Sequence, residues 1–202
     1  MSFRLMTPFH LMFIIALLLA AMAVPASAQR DNTQLGDQPG YVPNPDEEQL
    51  DPQYRRQLVS YRTTEVPGTI IVHTSERFLY VIQPNGRAIR YGFGVGGDGF
   101  QWQGLLKISR KQEWPDWTPP PEMIERQPYL PRFMAGGPGN PMGARALYLG
   151  NTVYRIHGTN QPQTIGSAVS SGCFRLANNE IVDLYDRIPV GTKVIVRQRP
   201  EF

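Results

Sequence analysis

A single cysteine and three histidines are the residues most suited to chemistry in this 202-residue chain. A thiol beside an imidazole is the smallest set that makes an activated nucleophile and its base. Cys173 lies in Ser170-Ser171-Gly172-Cys173-Phe174-Arg175-Leu176. Gly172 removes a side chain just before the thiol and lets the backbone approach a substrate closely. Arg175 is two residues on, so in an extended segment it shares a face with Cys173. A cation there favours the thiolate, which is the nucleophilic form. The alternative is a buried cysteine acting as a small inert hydrophobe.

His157 closes Val153-Tyr-Arg-Ile-His157, precedes Gly158-Thr-Asn160, and lies 16 residues before Cys173. Its place at a strand end, next to a glycine-containing loop, suits a base. His73 sits mid-strand between Val72 and Thr74, where a packed or surface histidine is expected. His10 falls in the N-terminal leader. Papain-like hydrolases place the cysteine before the histidine, the reverse of the order here. A zinc site from His73, His157 and Cys173 lacks paired ligand spacing, so no metal or other cofactor is expected.

These residues need a scaffold, and strand patterns supply it from residue 68 onward. Gly68–His73 and Phe78–Ile82 are β-branched or aromatic runs. Asn85-Gly86 is a two-residue hairpin signal, because both central positions of that turn need positive φ. Arg87–Val95 returns, and further strands are expected at Leu105–Ser109, Ala144–Leu149, Thr152–His157 and Thr192–Arg197. Gly92-Phe-Gly94-Val-Gly96-Gly97 follows a strand pattern and precedes no helix, so it reads as bends or bulges in a sheet. Two short helices are expected. One is capped near Thr118 and its prolines and runs to Arg126. The other is capped by Asn178, with Ile181, Leu184, Tyr185 and Ile188 on one face. Residues 127–143 form a long Pro/Gly-rich loop, and such loops in compact domains are often functional.

Composition narrows the class. Hydrophobic residues make up 41% and charged residues 18%, enough for a real core. Net charge is only +3, and no run of Lys and Arg exceeds two, so nucleic acid is not an expected partner. Residues 1–28 read as a secretory signal peptide: Arg4, an apolar run from Leu11 to Val24, then Ala26-Ser27-Ala28. That run is shorter than the ~20 residues of a membrane span, so no stable span is expected after cleavage. The protein is then expected in the periplasm or otherwise exported to the cell envelope. Residues 29–65 are polar and aperiodic, which predicts a largely disordered spacer. Residues 66–202 carry 15 basic and 10 acidic residues, suiting an anionic polymer.

His157-Gly-Thr-Asn160 followed by Ser170-Ser-Gly-Cys-Phe-Arg-Leu176 resembles the signature of the YkuD-type L,D-transpeptidases, the ErfK/YbiS group. The resemblance spans roughly residues 66–198. It includes Arg90-Tyr-Gly-Phe-Gly-Val-Gly96, Glu113-Trp-Pro-Asp-Trp-Thr-Pro-Pro120, Asn140-Pro-Met-Gly-Ala-Arg-Ala-Leu-Tyr148 and Val190-Gly-Thr-Lys-Val194. It implies a mainly β catalytic domain over 66–202, with two mixed sheets in a sandwich- or barrel-like arrangement and few short helices. It implies action on peptidoglycan tetrapeptide stems through a Cys173 thioester, with release of D-Ala and transfer to an amine, forming a third-to-third cross-link. A carboxypeptidase or endopeptidase on the same scaffold, and a non-catalytic wall-binding module, are the alternatives. Carried over, Cys173 is the nucleophile and His157 the proton acceptor and later donor. Backbone N–H groups of Gly172 and Cys173 form the oxyanion site, and Arg175, Ser171, Gly158 and Asn160 are substrate-binding candidates. Ser171 stands where several family members have a second histidine. Ser170, Trp114 and Trp117 are further candidates for the cleft. The expected partners are the tetrapeptide donor and an amine acceptor, and the resemblance also allows a wall-anchored protein.

Overall fold

The computed structural model describes residues 39–44, 49–97, 102–170 and 172–198. The leader read over residues 1–28 lies outside them, as does Ser171. Eleven strands among the described residues carry the fold: β1 (Gln57–Ser60), β2 (Ile70–His73), β3 (Phe78–Gln83), β4 (Arg87–Gly92), β5 (Val95–Gly96), β6 (Gly104–Glu113), β7 (Arg145–Leu149), β8 (Arg155–His157), β9 (Ala168–Ser170), β10 (Phe174–Arg175) and β11 (Lys193–Arg197). Helices α1 (Pro121–Arg126) and α2 (Asn178–Arg187) complete it. The mainly β, mixed-sheet expectation is met.

The β3–β4 hairpin turns on Asn85 (φ 62°) and Gly86 (φ 65°), as their types require. Nine strands join in the order β1-β4-β3-β2-β11-β6-β7-β8-β10, and β5 pairs with β9 as a separate ribbon. The two main sheets expected from sequence are fused because β6 is ten residues long. Its first half bonds β11 and its second half bonds β7. The register shifts between Ile108 and Arg110, where Ser109 Oγ donates to the Gly150 carbonyl at 2.6 Å. A bulge of this kind bends a strand, so one strand serves both halves.

One apolar cluster gathers Ile70 and Leu79 from one half, Leu147, Ile156 and Phe174 from the other, and Ile181 and Leu184 from α2. These side chains are fully or almost fully buried. At about 25 cal/mol per Å² of apolar surface removed from water, each contributes about 1.5–3 kcal/mol. The opposite face of β2–β4 holds Ile71, Tyr80, Ile82 and Ala88. His73 packs beside them, its Nε2 2.7 Å from the Tyr61 hydroxyl, as expected of a packed histidine.

Three local expectations are revised. Residues 49–65, within the segment read as spacer, include β1, which pairs along β4 from Gln57–Arg90 to Ser60–Arg87. Their polar composition fits an exposed edge strand. Tyr54 lies over Gly92 and Gly166, where a Cβ would overlap it, and Leu50 is buried with Ile165 and Ala177. Helix α1 starts after Pro120 with no side-chain cap, rather than at Thr118. Ala177, not Asn178, occupies the cap position of α2. The Asn178 side chain is used elsewhere, as the site shows.

Candidate active site

Two cross-strand rows build the floor of a cleft. Pairing of β6, β7 and β8 places Arg110, Tyr148 and Arg155 in one row. It places Gln112, Ala146 and His157 in the next, and β10 adds Arg175 beside His157. Paired residues project from the same face, and this face is the reverse of the one that carries Leu147 and Ile156 into the core. Ala146 is small, and Trp117, Met123, Leu130 and Met142 pack over it. That cluster is the wall of the cleft, built from α1 and the 127–143 loop. Val153, Arg155, His157, Ser170, Cys173 and Arg175 line the same cleft.

The loop wall is fastened by backbone and amide bonds. Trp117 and Met134 exchange two backbone hydrogen bonds of 2.8 Å. Asn140 donates to the carbonyls of Met134 and Ala135, while its oxygen accepts from Met142 N at 2.8 Å. Gly143 then turns with φ 64°, and Asn178 Oδ1 accepts from Ala144 N at 2.9 Å. Asn178 thus ties α2 to the loop's end. A Cβ on Gly143 would lie 2.3 Å from Thr159 N and 2.5 Å from Gly158 C. The bare glycine lets the loop press against the end of β8.

This anchoring sets the imidazole. His157 is 5% exposed. Its Nδ1 is 2.6 Å from the Gly158 carbonyl. A carbonyl only accepts, so Nδ1 carries the proton and Nε2 is the basic nitrogen. Burial pulls the His157 pKa down to about 3, and the Arg175 and Arg155 charges add to the fall. The Gly158 and Met142 carbonyls oppose it. His157 is therefore neutral near pH 7, in the form that takes a proton.

Cys173 is half-buried, and its thiol lies 3.8 Å from the Val153 carbonyl. Ser170 Oγ donates to the Cys173 carbonyl at 2.7 Å, and Trp102 Nε1 donates to the Gly172 carbonyl at 3.1 Å. In a trans peptide the N–H points opposite to the C=O, so the Cys173 N–H faces away from Trp102. Trp102 also stacks on Tyr154, with centroids 4.4 Å apart, and lies 5.5 Å from Phe174. Behind Cys173, Gly94 and Arg175 exchange backbone bonds of 2.8 and 2.9 Å, so the glycine-rich bend braces β10.

The sequence candidates divide as follows. Cys173, His157, Arg175, Ser170 and Trp117 line the cleft. Gly158 acts through its carbonyl on His157. Asn160 is 1% exposed and donates to the carbonyls of Tyr41 and Gly139, which makes it a brace between the N-terminal segment and the loop. Trp114 is 42% exposed and is not among the cleft's lining residues. Sequence reasoning missed Trp102, Met142 and Arg155. Arg155 had a readable signal, since it stands two residues before His157 on one strand face.

A family model described as YkuD, L,D-transpeptidase catalytic domain, matches residues 67–196. The probable L,D-transpeptidase ErfK/SrfK of Escherichia coli (strain K12) is 38% identical over 170 residues, covering 78% of this chain and 54% of its own. This chain thus spans about half the length of that relative. A crystal structure from Brucella melitensis, described as a probable carnitine operon oxidoreductase, is 48% identical with a TM-score of 0.49, covering 75% of this chain and 99% of its own. An L,D-transpeptidase mutant from Enterococcus faecium is 14% identical with a TM-score of 0.51, covering 65% of this chain and 50% of its own, and it shares the fold.

Proposed function

The chain belongs to the L,D-transpeptidase catalytic-domain family, and from that premise we propose that it is an exported cysteine L,D-transpeptidase acting on peptidoglycan tetrapeptide stems. The observation that carries the reading is the convergence of Cys173, a neutral His157 and Arg175 in one cleft. Nε2 of His157 accepts the thiol proton as Sγ attacks the carbonyl of the third stem residue. The tetrahedral oxyanion is met by the N–H groups of Gly172 and Cys173, each such donor contributing about 3–4 kcal/mol. The C–N bond breaks and His157 returns its proton to the nitrogen of D-Ala. A thioester remains on Cys173, and an incoming amine displaces it to give a third-to-third cross-link. Residues 1–28 are the signal peptide in this proposal. Residues 66–202 are the catalytic domain, with β1 from the preceding segment joined to its sheet.

The test is mass spectrometry of the purified protein with a disaccharide-tetrapeptide, beside Cys173→Ala. A linked dimer with loss of D-Ala, absent from the variant, is expected. A tripeptide alone would move the assignment to a carboxypeptidase. Equal product from Cys173→Ala would overturn the mechanism.

A further inference from the structure

Arg155 is the cation of the cleft that the mechanism above leaves unused. It lines the same cleft as Cys173 and His157, and no carboxylate side chain is among that cleft's lining residues. It is half-buried, whereas Arg175 is 3% exposed. Of the two cations, Arg155 is the more exposed. Its Nε is buried without a hydrogen-bond partner among the described residues. Other arginines with such an Nε have partners at their terminal nitrogens: Arg145 pairs with Glu113 and Arg90 with Gln57. Arg155 instead lies against the Tyr148 ring, 5.3 Å from its centroid, with Arg110 on the same ring at 3.6 Å. Tyr148 is tied in turn to Gln112 through its hydroxyl. The stem of Arg155 is thus held while its buried Nε lacks an acceptor among the described residues, and a buried guanidinium donor without one is costly.

The chemistry of the cleft says which acceptor fits. His157 hands its proton to the leaving amine, so that nitrogen stands at the imidazole. In an α-amino acid the carboxylate is one carbon from the nitrogen. Arg155, two residues before His157 on the same strand face, is placed to meet it. We propose that Arg155 binds the free carboxylate of the leaving D-amino acid, so that the enzyme selects stems ending at the residue it expels. This rests on reading the site as one that releases a D-amino acid. A guanidinium–carboxylate fork fixes the leaving group's orientation. It also offsets part of the positive charge that bears on His157 when the cleft is empty.

The experiment is calorimetric binding of two probes to the full chain carrying Cys173→Ala, which prevents turnover. One probe is the tetrapeptide with a free C-terminal carboxylate, and the other is the same peptide with a C-terminal amide. A charge-assisted hydrogen bond predicts about 10–100-fold tighter binding of the acid. Adding Arg155→Gln should bring the acid down to the affinity of the amide, and Arg155→Lys should restore part of the gap. Equal affinity for acid and amide before any change at Arg155 overturns the proposal, and that comparison needs no Arg155 variant to fold. Acid preference surviving Arg155→Gln, or lost instead in Arg175→Gln, also overturns it. Turnover by the unmodified protein is read separately. Acid preference without turnover would keep the carboxylate site and reject the transpeptidase, and turnover without acid preference would do the reverse.

Discussion

Replacing Gly143 by alanine tests how the 127–143 loop holds His157, the proposed base. Two costs can be worked out. Gly143 has φ 64°, and so does Gly86 within a degree. An L-residue in that region costs about 1–2 kcal/mol. At Gly86 nothing lies within 4 Å of the added Cβ, so the conformational cost stands alone. At Gly143 the Cβ would lie 2.3 Å from Thr159 N and 2.4 Å from Asn178 Oδ1. Backbone cannot yield freely, and overpacking costs about 1–3 kcal/mol more. Gly143→Ala should therefore destabilise by about 2–5 kcal/mol, against about 1–2 kcal/mol for Gly86→Ala. Urea unfolding of both variants beside the parent measures the difference. The same clash displaces the Met142 and Gly158 carbonyls that set His157, so turnover should fall by ~10-fold or more in Gly143→Ala and be unchanged in Gly86→Ala. Equal losses of stability in the two variants, or full turnover in Gly143→Ala, would refute the account.

The His157 pKa, lowered from 6.5 to about 3, gives a signed pH effect. The unfolded chain takes up a proton near 6.5 while the folded site stays neutral, so stability falls as pH drops from 6.5 toward 3. Thermal melts should show this slope, and His157→Gln should flatten it. Asp183 accepts from Tyr91 at 2.6 Å and from Arg187 at 2.8 and 2.9 Å, and pairs with Arg56 at 2.7 Å. Chiefly through Arg187, its carboxyl is held well below the usual range. Asp183→Asn should cost about 1–3 kcal/mol at pH 7, and the gap should narrow as pH falls below 3.8; a gap independent of pH would refute the ionic role. Deleting the residues before 66 strips β1 from β4 and Tyr54 from Gly92. The truncated protein should melt lower and aggregate through the bared strand edge; an unchanged melt would mean that β1 adds nothing.

The sequence by itself determined most of the elements and singled out the two residues proposed to react. β2, β3 and β11 follow from β-branched and aromatic runs, and β4 from the Asn85-Gly86 turn that returns the chain. The buried face of α2 follows from the spacing of Ile181, Leu184 and Ile188. These signals are local, because each is a conformational preference carried by residues within a turn or two of one another. Cys173 and His157 stood out as candidates by residue type and by the family signature they complete. What only the tertiary structure decided is everything that crosses between elements. Parallel pairing of β8 with β10 sets Arg175 beside His157. The same loop that carries Asn140 brings Met142 to the imidazole, and Asn178 leaves its expected cap to hold Ala144. β1 gives little local signal because it is only four residues long, with Leu58 and Val59 between two polar residues, and it is a strand through pairing with β4. Burial of His157, which keeps it neutral, is a property of everything packed around it. Such neighbours stand tens of residues apart in sequence, and chain closure over those distances is settled by the core as a whole.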